Sequence, residues 1–412
     1  MNPNVSPNVS ESSQFPLPTT RDENWRYANL RPLAKARVDA VSPSPDRAAI
    51  SLPAVLPGYE RWVFVDGHYA RELSSDAPDS CASLLSVRDA GDALASMLDS
   101  DLASAGVDFA LARRNGARGA SVLAIAPPDG GEARIELTFV TTAAGKDGTS
   151  YPRVQVHGGR RSRLALVERH LSIGATDPVV NAAIDVALRA DSSIDHCRVQ
   201  NCADGAACFD TLTAHVGERA TYRLRSVTLG GLSSRSTIFV KLAGRDARCE
   251  FACAAIANGL QTHDIFAEID HVAPGTSTRE IFRGLATERG KLAFNGKMIV
   301  RESAHGADSN QSLKSLLTGD GAEAAARPQL EIYTDKVSAK HGATTGKLDE
   351  QMLFYLLSRG IDRAQAQVLL QWAFIEDTVS QVEVAPLRHE IEQLIAAQLN
   401  EVSALDGLVA RP

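Results

Sequence analysis

Histidine and cysteine are the side chains that bind borderline and soft metals, and this chain of 412 residues holds ten of the first and six of the second. The densest soft cluster is Cys197, Cys202 and Cys208, with His196 alongside. Four and then five residues separate those cysteines, whereas zinc knuckles pair theirs across two and ferredoxin runs are equally tight. A metal site and simple packing therefore compete there. Cys249 and Cys253 share one face of the apolar run Cys249-Glu250-Phe251-Ala252-Cys253, where a buried cysteine acts as a small hydrophobe. With Cys81 they complete a sparse set that stays as thiols in a reducing compartment, so no structural disulfide is expected. His263, His271 and His305 fall among strand-like runs that also carry Asp264, Asp270 and Asp308. Such pairs on adjacent coils could bind a metal or move a proton, or could hydrogen-bond to one another. His341 differs from all of these. It follows the run from Pro328 to Val337 and precedes Gly342-Ala343-Thr344-Thr345-Gly346, which puts it at the last strand edge before a helical region. A neutral imidazole there could ligate iron or another borderline metal.

Signatures of common enzymes are missing. The sequence holds no GxxxxGK[ST], no GxGxxG after a strand, no HExxH and no GxSxG, which removes the usual motifs for phosphate-loop, dinucleotide, zinc-protease and hydrolase chemistry. Gly230-Gly231-Leu232-Ser233-Ser234 superficially resembles a phosphate loop. It lacks the following lysine and the opening helix, so a turn is expected.

The elements that must position these residues change along the chain. Residues 1–20, rich in Asn, Ser, Pro and Thr, read as a flexible tail that cannot bury enough apolar surface to order itself. Trp25, Tyr27 and Leu30 then either anchor that tail in a surface groove or close the edge of a local core. Trp62 to Tyr69 reads as a strand entering an Asp66-Gly67 turn, a hairpin signal. From Cys81 to about Arg114 the apolar positions Leu84, Leu85, Val87, Leu94, Met97, Leu98, Leu102, Val107 and Leu111 are spaced like helices, so residues 21–116 are expected to form a mixed α/β region.

Beyond that point short apolar or alternating runs follow one another: 120–126, 133–141, 153–157, 162–173, 222–228, 237–242, 249–256, 264–272, 278–284 and 292–300. Between about 222 and 300 the strand starts are nearly evenly spaced, with no amphipathic helix between them. Even spacing without crossover helices argues against a doubly wound sheet and leaves a sandwich, a propeller or a β-solenoid. The solenoid is the expected architecture over 117–344, although no sharp hexapeptide or nonapeptide repeat marks it.

After residue 345 the period becomes helical. Leu348, Met352, Leu353, Leu356 and Leu357 make one stripe that stops at Arg359-Gly360. Asp362 with Gln365 is a capping-box start for a second helix carrying Val368, Leu369, Trp372 and Phe374. Pro386 opens a third, carrying Leu387, Ile391, Leu394, Ile395 and Leu399. Residues 345–412 are thus expected to be a helical domain whose apolar faces cover the solenoid or a partner.

Composition bounds the function. A length of 412 residues suggests about two or three domains, and 44% hydrophobic with 23% charged residues is globular. Forty-three basic against 50 acidic residues give a formal charge of −7, so no positive field draws in nucleic acid. The first twenty residues lack the basic and apolar parts of a secretory signal. No run of about 18 apolar residues could span a membrane. A cytoplasmic protein without membrane contact is expected.

Arg327-Pro328-Gln329-Leu330-Glu331-Ile332-Tyr333, Lys340-His341-Gly342-Ala343-Thr344, Gly346, Phe354-Tyr355-Leu356 and Ser358-Arg359-Gly360-Ile361 together closely resemble the signature of the SufB/SufD iron–sulfur assembly scaffold family. Ser162 to Glu168, Asp270-His271, Asn295-Gly296-Lys297, Asp308 with Gln311, and Trp25-Arg26-Tyr27 with Leu30 fit the same family. His341-Gly342-Ala343-Thr344 resembles its SufD branch, the SufB branch having a Cys-Glu-His-Glu type sequence there. The resemblance implies a right-handed parallel β-helix core between an N-terminal mixed region and a C-terminal α-helical domain. It implies a complex in which a SufB-like subunit pairs with this chain and each docks an ABC-type ATPase, SufC, through its helical end. It also implies iron or a transient iron–sulfur cluster held at the interface between the two scaffold subunits, with His341 as this chain's metal ligand and no permanently bound cofactor. Many SufD sequences carry a cysteine two residues before that histidine; here the position is Ala339, so ligation from this strand rests on imidazole. Because both branches of the family pair through related edges, the resemblance also leaves room for a homodimer in isolation.

Two rivals come from other classes. A β-helix enzyme acting on polysaccharide would need a groove of paired acids and bases on one solenoid face. A purely structural partner of the ATPase would need no metal ligand at all. The expected role is otherwise a non-catalytic scaffold.

Overall fold

The structure is a computed structural model that describes residues 16–33, 38, 40–43, 50–77, 80–86, 106–119, 121–174 and 177–399. Its body is a parallel β-solenoid whose strands stack into two ten-stranded sheets. Matched positions Arg163, Ser193, Thr221, Arg248, Ser277, Asp308 and Ser338 stack coil upon coil along one sheet. The other sheet stacks Val179, Ala207, Ser233, Thr262, Lys291 and Glu323 in the same way.

Alternation along each strand sorts side chains between the solenoid's interior and its outer faces. Leu164, Leu166, Tyr222, Leu224, Phe251 and Phe282 from one sheet meet Ile184, Leu212, Ile238, Ile265 and Phe294 from the other in the main core. Corners between coils run close to the coil below. At Gly244 an added Cβ would overlap the backbone of Gly217-Glu218, and at Gly319 it would overlap Glu288, so only glycine fits.

The expected hairpin forms: Glu60–Val65 pairs antiparallel with His68–Tyr69, turning through Asp66 and Gly67, both at positive φ. Glu60–Val65 also pairs in parallel with Glu132–Thr142, so the first coil of the solenoid begins upstream of residue 117. Gly230-Gly231 is the turn expected, with Gly231 at φ +88°. The helical reading of 81–114 is corrected over its first part. Ala82–Ser86 is a strand, antiparallel to Ser121–Ile125, because the open edge of the first coil recruits these residues and long-range pairing outweighs leucine spacing. Helix α1, Ala110–Arg118, follows a short 3-10 turn at Gly106–Phe109. Val87, Leu94, Met97, Leu98 and Leu102 lie outside the described residues, as does most of the 1–20 tail.

Trp25 is fully buried with Ala28, Leu33, Leu111, Val179 and Phe209. Its indole Nε1 donates to Asp108, 2.8 Å away, and the guanidinium of Arg235 stacks 4.3 Å above its ring. Of the two readings of this segment, closure of a local core is the one seen.

Three helices end the described chain: α2, Glu350–Ser358; α3, Arg363–Val379; and α4, Ala385–Gln398. Asp349 and Asp362 cap the first two by accepting backbone N–H bonds, and Pro386 sits in the first turn of the third. Val368, Trp372, Ile375, Leu387, Ile391 and Ile395 pack on the outer face of one sheet against Val167, Val199, Val227, Ile256 and Leu285. Buried Arg169 and Arg283 on that sheet pair with Glu390 and Asp377 of the helices. No described helix is long and apolar enough to cross a membrane.

Candidate functional site

The last coil is made by Glu323–Ile332 and Val337–Gly346. The run 328–337 is therefore not one strand: it breaks at Tyr333–Lys336, and His341 lies inside the final strand rather than after it. Each of these strands ends its sheet and is paired on one side only among the described residues. The solenoid thus presents open backbone edges, together with Ile332 and Tyr333, which are 41% and 58% exposed. Such an edge is a template for pairing with another chain.

His341 is exposed on this edge and stands level with Gln311 of the preceding coil. In parallel register, paired residues point to the same face of the sheet. Gln311 is buried between the sheets, where its Nε2 donates to Glu280 and to the Gly296 carbonyl. His341 therefore lies on the interior register of an end coil that nothing among the described residues pairs with on its outer side. Ala339 and Ala343 occupy the same face on either side of it, leaving the imidazole as its one strong ligand. Burial pushes the Glu280 carboxyl up to about 7, with the Gln311 bond working against that. At the outer rim Lys297 bridges Glu268 (3.5 Å) and Glu331 (3.1 Å), and Glu23 of the N-terminal segment pairs with Arg327 of the last coil.

The other candidate ligands do not gather. Cys197 packs under the C-terminal helices, and burial pushes its thiol up to about 12. Cys202 and Cys208 touch each other in a separate small cluster. Cys249 and Cys253 belong to the main core, as the one-face reading expects. His263 donates to the Ile256 carbonyl at 3.0 Å. His271 donates to Thr276 (2.9 Å) and accepts from Thr278 (3.0 Å), and burial depresses both imidazoles to about 4. Asp264 pairs with Arg235, Asp270 with Arg301, and His305 bonds Thr334, so none of the three histidines bonds a nearby aspartate. Among the described residues no three His, Cys, Asp or Glu side chains converge as a metal site.

Spacing alone did not reveal the strongest acid–base cluster. Glu168, sealed inside the solenoid, bonds His170 and His196 and lies 3.4 Å from Arg198, which in turn holds Asp210 at 2.6 Å. Burial works to raise the Glu168 carboxyl, yet Arg198 and His170 hold it well below the usual range. The only available signal was a set of alternate positions, 168 and 170 then 196 and 198, falling on the interior register of strands not all recognised as strands. Clefts of about 500 and 440 Å³ lie where the helices meet the solenoid.

These features put the molecule in the class of parallel β-solenoids that end in an open coil with an exposed imidazole. The chain belongs to the SufBD family: a family model described as SUF system FeS cluster assembly, SufBD core domain, matches residues 139–374. It is 24% identical to the iron–sulfur cluster assembly protein SufD of Escherichia coli strain K12, covering 96% of this chain and 93% of that one. An iron–sulfur cluster assembly SufBD family protein of Synechocystis is 26% identical, with 93% and 87% covered. The SufD of Plasmodium berghei is 26% identical over 59% of this chain and 18% of its own length.

Proposed function

We propose that this chain is a SufD-type scaffold subunit in iron–sulfur cluster assembly, pairing through its last coil with a SufB-like subunit and coupled through its helices to an ABC-type ATPase of the SufC kind. Family membership supports the role in cluster assembly. The observation that carries the finer reading is His341, exposed on the last strand of its sheet at the end of the solenoid, whose outer edge is open among the described residues. Iron or a nascent cluster is cargo in this account. One imidazole cannot hold it alone, and a second chain docked along the open edge would supply the remaining ligands, including the sulfur donors that Ala339 does not provide.

The chain itself acts as a scaffold, and ATP hydrolysis belongs to the partner. The buried Glu168 cluster speaks against the polysaccharide reading, since its acids and bases face the interior instead of a groove. Anaerobic co-purification with SufB-like and SufC-like partners, followed by iron and sulfide analysis, tests the proposal. A three-component complex carrying both elements is expected. Failure to associate, or association without either element, contradicts it.

A further inference from the structure

Gln311 raises a question of hydrogen bonding that its own coil leaves open. Its Nε2 faces two acceptors, Glu280 and the Gly296 carbonyl, so the amide nitrogen is turned down toward the preceding coils. The amide oxygen then has no partner, although it is buried. Buried amide oxygens are nearly always bonded. One rung above, at the matched position of the final strand, stands His341, a side chain with an N–H to give and no hydrogen-bond partner among the described residues. Adjacent strands are about 4.8 Å apart, within reach of a glutamine amide and an imidazole on the same face. Ala339 and Ala343 flank the histidine with side chains too small to block it.

We infer that Gln311 is a positioning residue for His341. Its amide oxygen, held outward by Glu280 and Gly296, is unbonded in this structure; with the imidazole turned down toward it, it would accept the N–H of one ring nitrogen and leave the lone pair of the other free to face a metal. This is the arrangement that metal-binding histidines use to fix tautomer and ring orientation, with an amide where a carboxylate or backbone carbonyl commonly stands. Gly296 belongs to the same device: a Cβ there would overlap Gln311 Nε2 and displace the amide. The inference rests on His341 being a ligand, but it concerns the tautomer of the metal-free chain and can fail separately.

The test is the nitrogen chemical shifts of the imidazole in the full-length chain labelled with 15N-histidine, at a pH where the ring is neutral. The His341 signal is assigned by its loss in His341→Asn. One dominant tautomer is expected in the unsubstituted chain, and loss of that bias toward the mixture of free histidine in Gln311→Met and in Gly296→Ala. Glu280→Gln, which still offers an acceptor to Gln311, is expected to retain it. A tautomer mixture in the unsubstituted chain, which needs no folded variant, overturns the inference, as does a bias that survives Gln311→Met. Cluster yield from His341→Ala, measured separately, reports on the ligand role itself.

Discussion

Glu280 is a carboxyl group enclosed by the solenoid with one amide donor, and its titration has a definite sign. Its folded value of about 7 lies above the ordinary 4.5, so the folded state binds its proton more tightly than the unfolded chain. That contribution is fully present below about pH 4.5 and is lost as pH rises through 7, by roughly 3 kcal/mol at most. Glu280→Gln removes the titration while keeping the acceptor. Urea unfolding at pH 5 and pH 8 is expected to show the variant gaining on the native chain at the higher pH; a difference independent of pH contradicts this. His341 was legible in the sequence through its motif, but its surroundings were not. That Gln311 lies beneath it, and Glu280 beneath Gln311, depends on a strand register set by coils whose length varies, and no local spacing encodes that.

At the scale of elements, α3 and α4 are held to the solenoid by apolar contact and by two ion pairs whose arginines, Arg169 and Arg283, are buried while Glu390 and Asp377 are partly exposed. Trp372, 8% exposed, fills the joint between helix and sheet. Trp372→Ala is expected to lower stability by about 3–5 kcal/mol, read as an earlier midpoint in denaturant unfolding; a change under 1 kcal/mol would mean that the helices stand apart from the sheet. The three helices were legible because each is amphipathic, with Asp362 and Pro386 marking the starts of the second and third; the Asp349 cap of the first is seen only in the structure. The strands Val179–Leu188, Ser193–Asn201 and Ala207–Val216 were not recognised. Val179–Leu188 is buried at every position, since α1 and the N-terminal segment cover the face that would otherwise be polar, and alternation vanishes when both faces are dry. Ala82–Ser86 was misread for the complementary reason: a short edge strand takes its state from its neighbour.

Across the whole molecule, two surfaces formed by described residues stand out as open. One is the open coil with His341, Ile332 and Tyr333. The other is α2, where Met352, Phe354 and Tyr355 are 52%, 72% and 52% exposed, an apolar patch of the kind that marks an interaction site. If α2 is the ATPase-docking face, Phe354→Asp abolishes capture of the SufC-like ATPase while pairing with the SufB-like subunit persists, as read by co-purification. Loss of both, or of neither, contradicts that division of labour. The same division bears on the central claim that this chain lends one imidazole to a site completed by its partner. The most direct measurement is iron and sulfide content of the anaerobically co-expressed complex with His341→Ala. The account predicts an intact complex whose iron and sulfide fall severalfold; native iron and sulfide on an intact complex would contradict it.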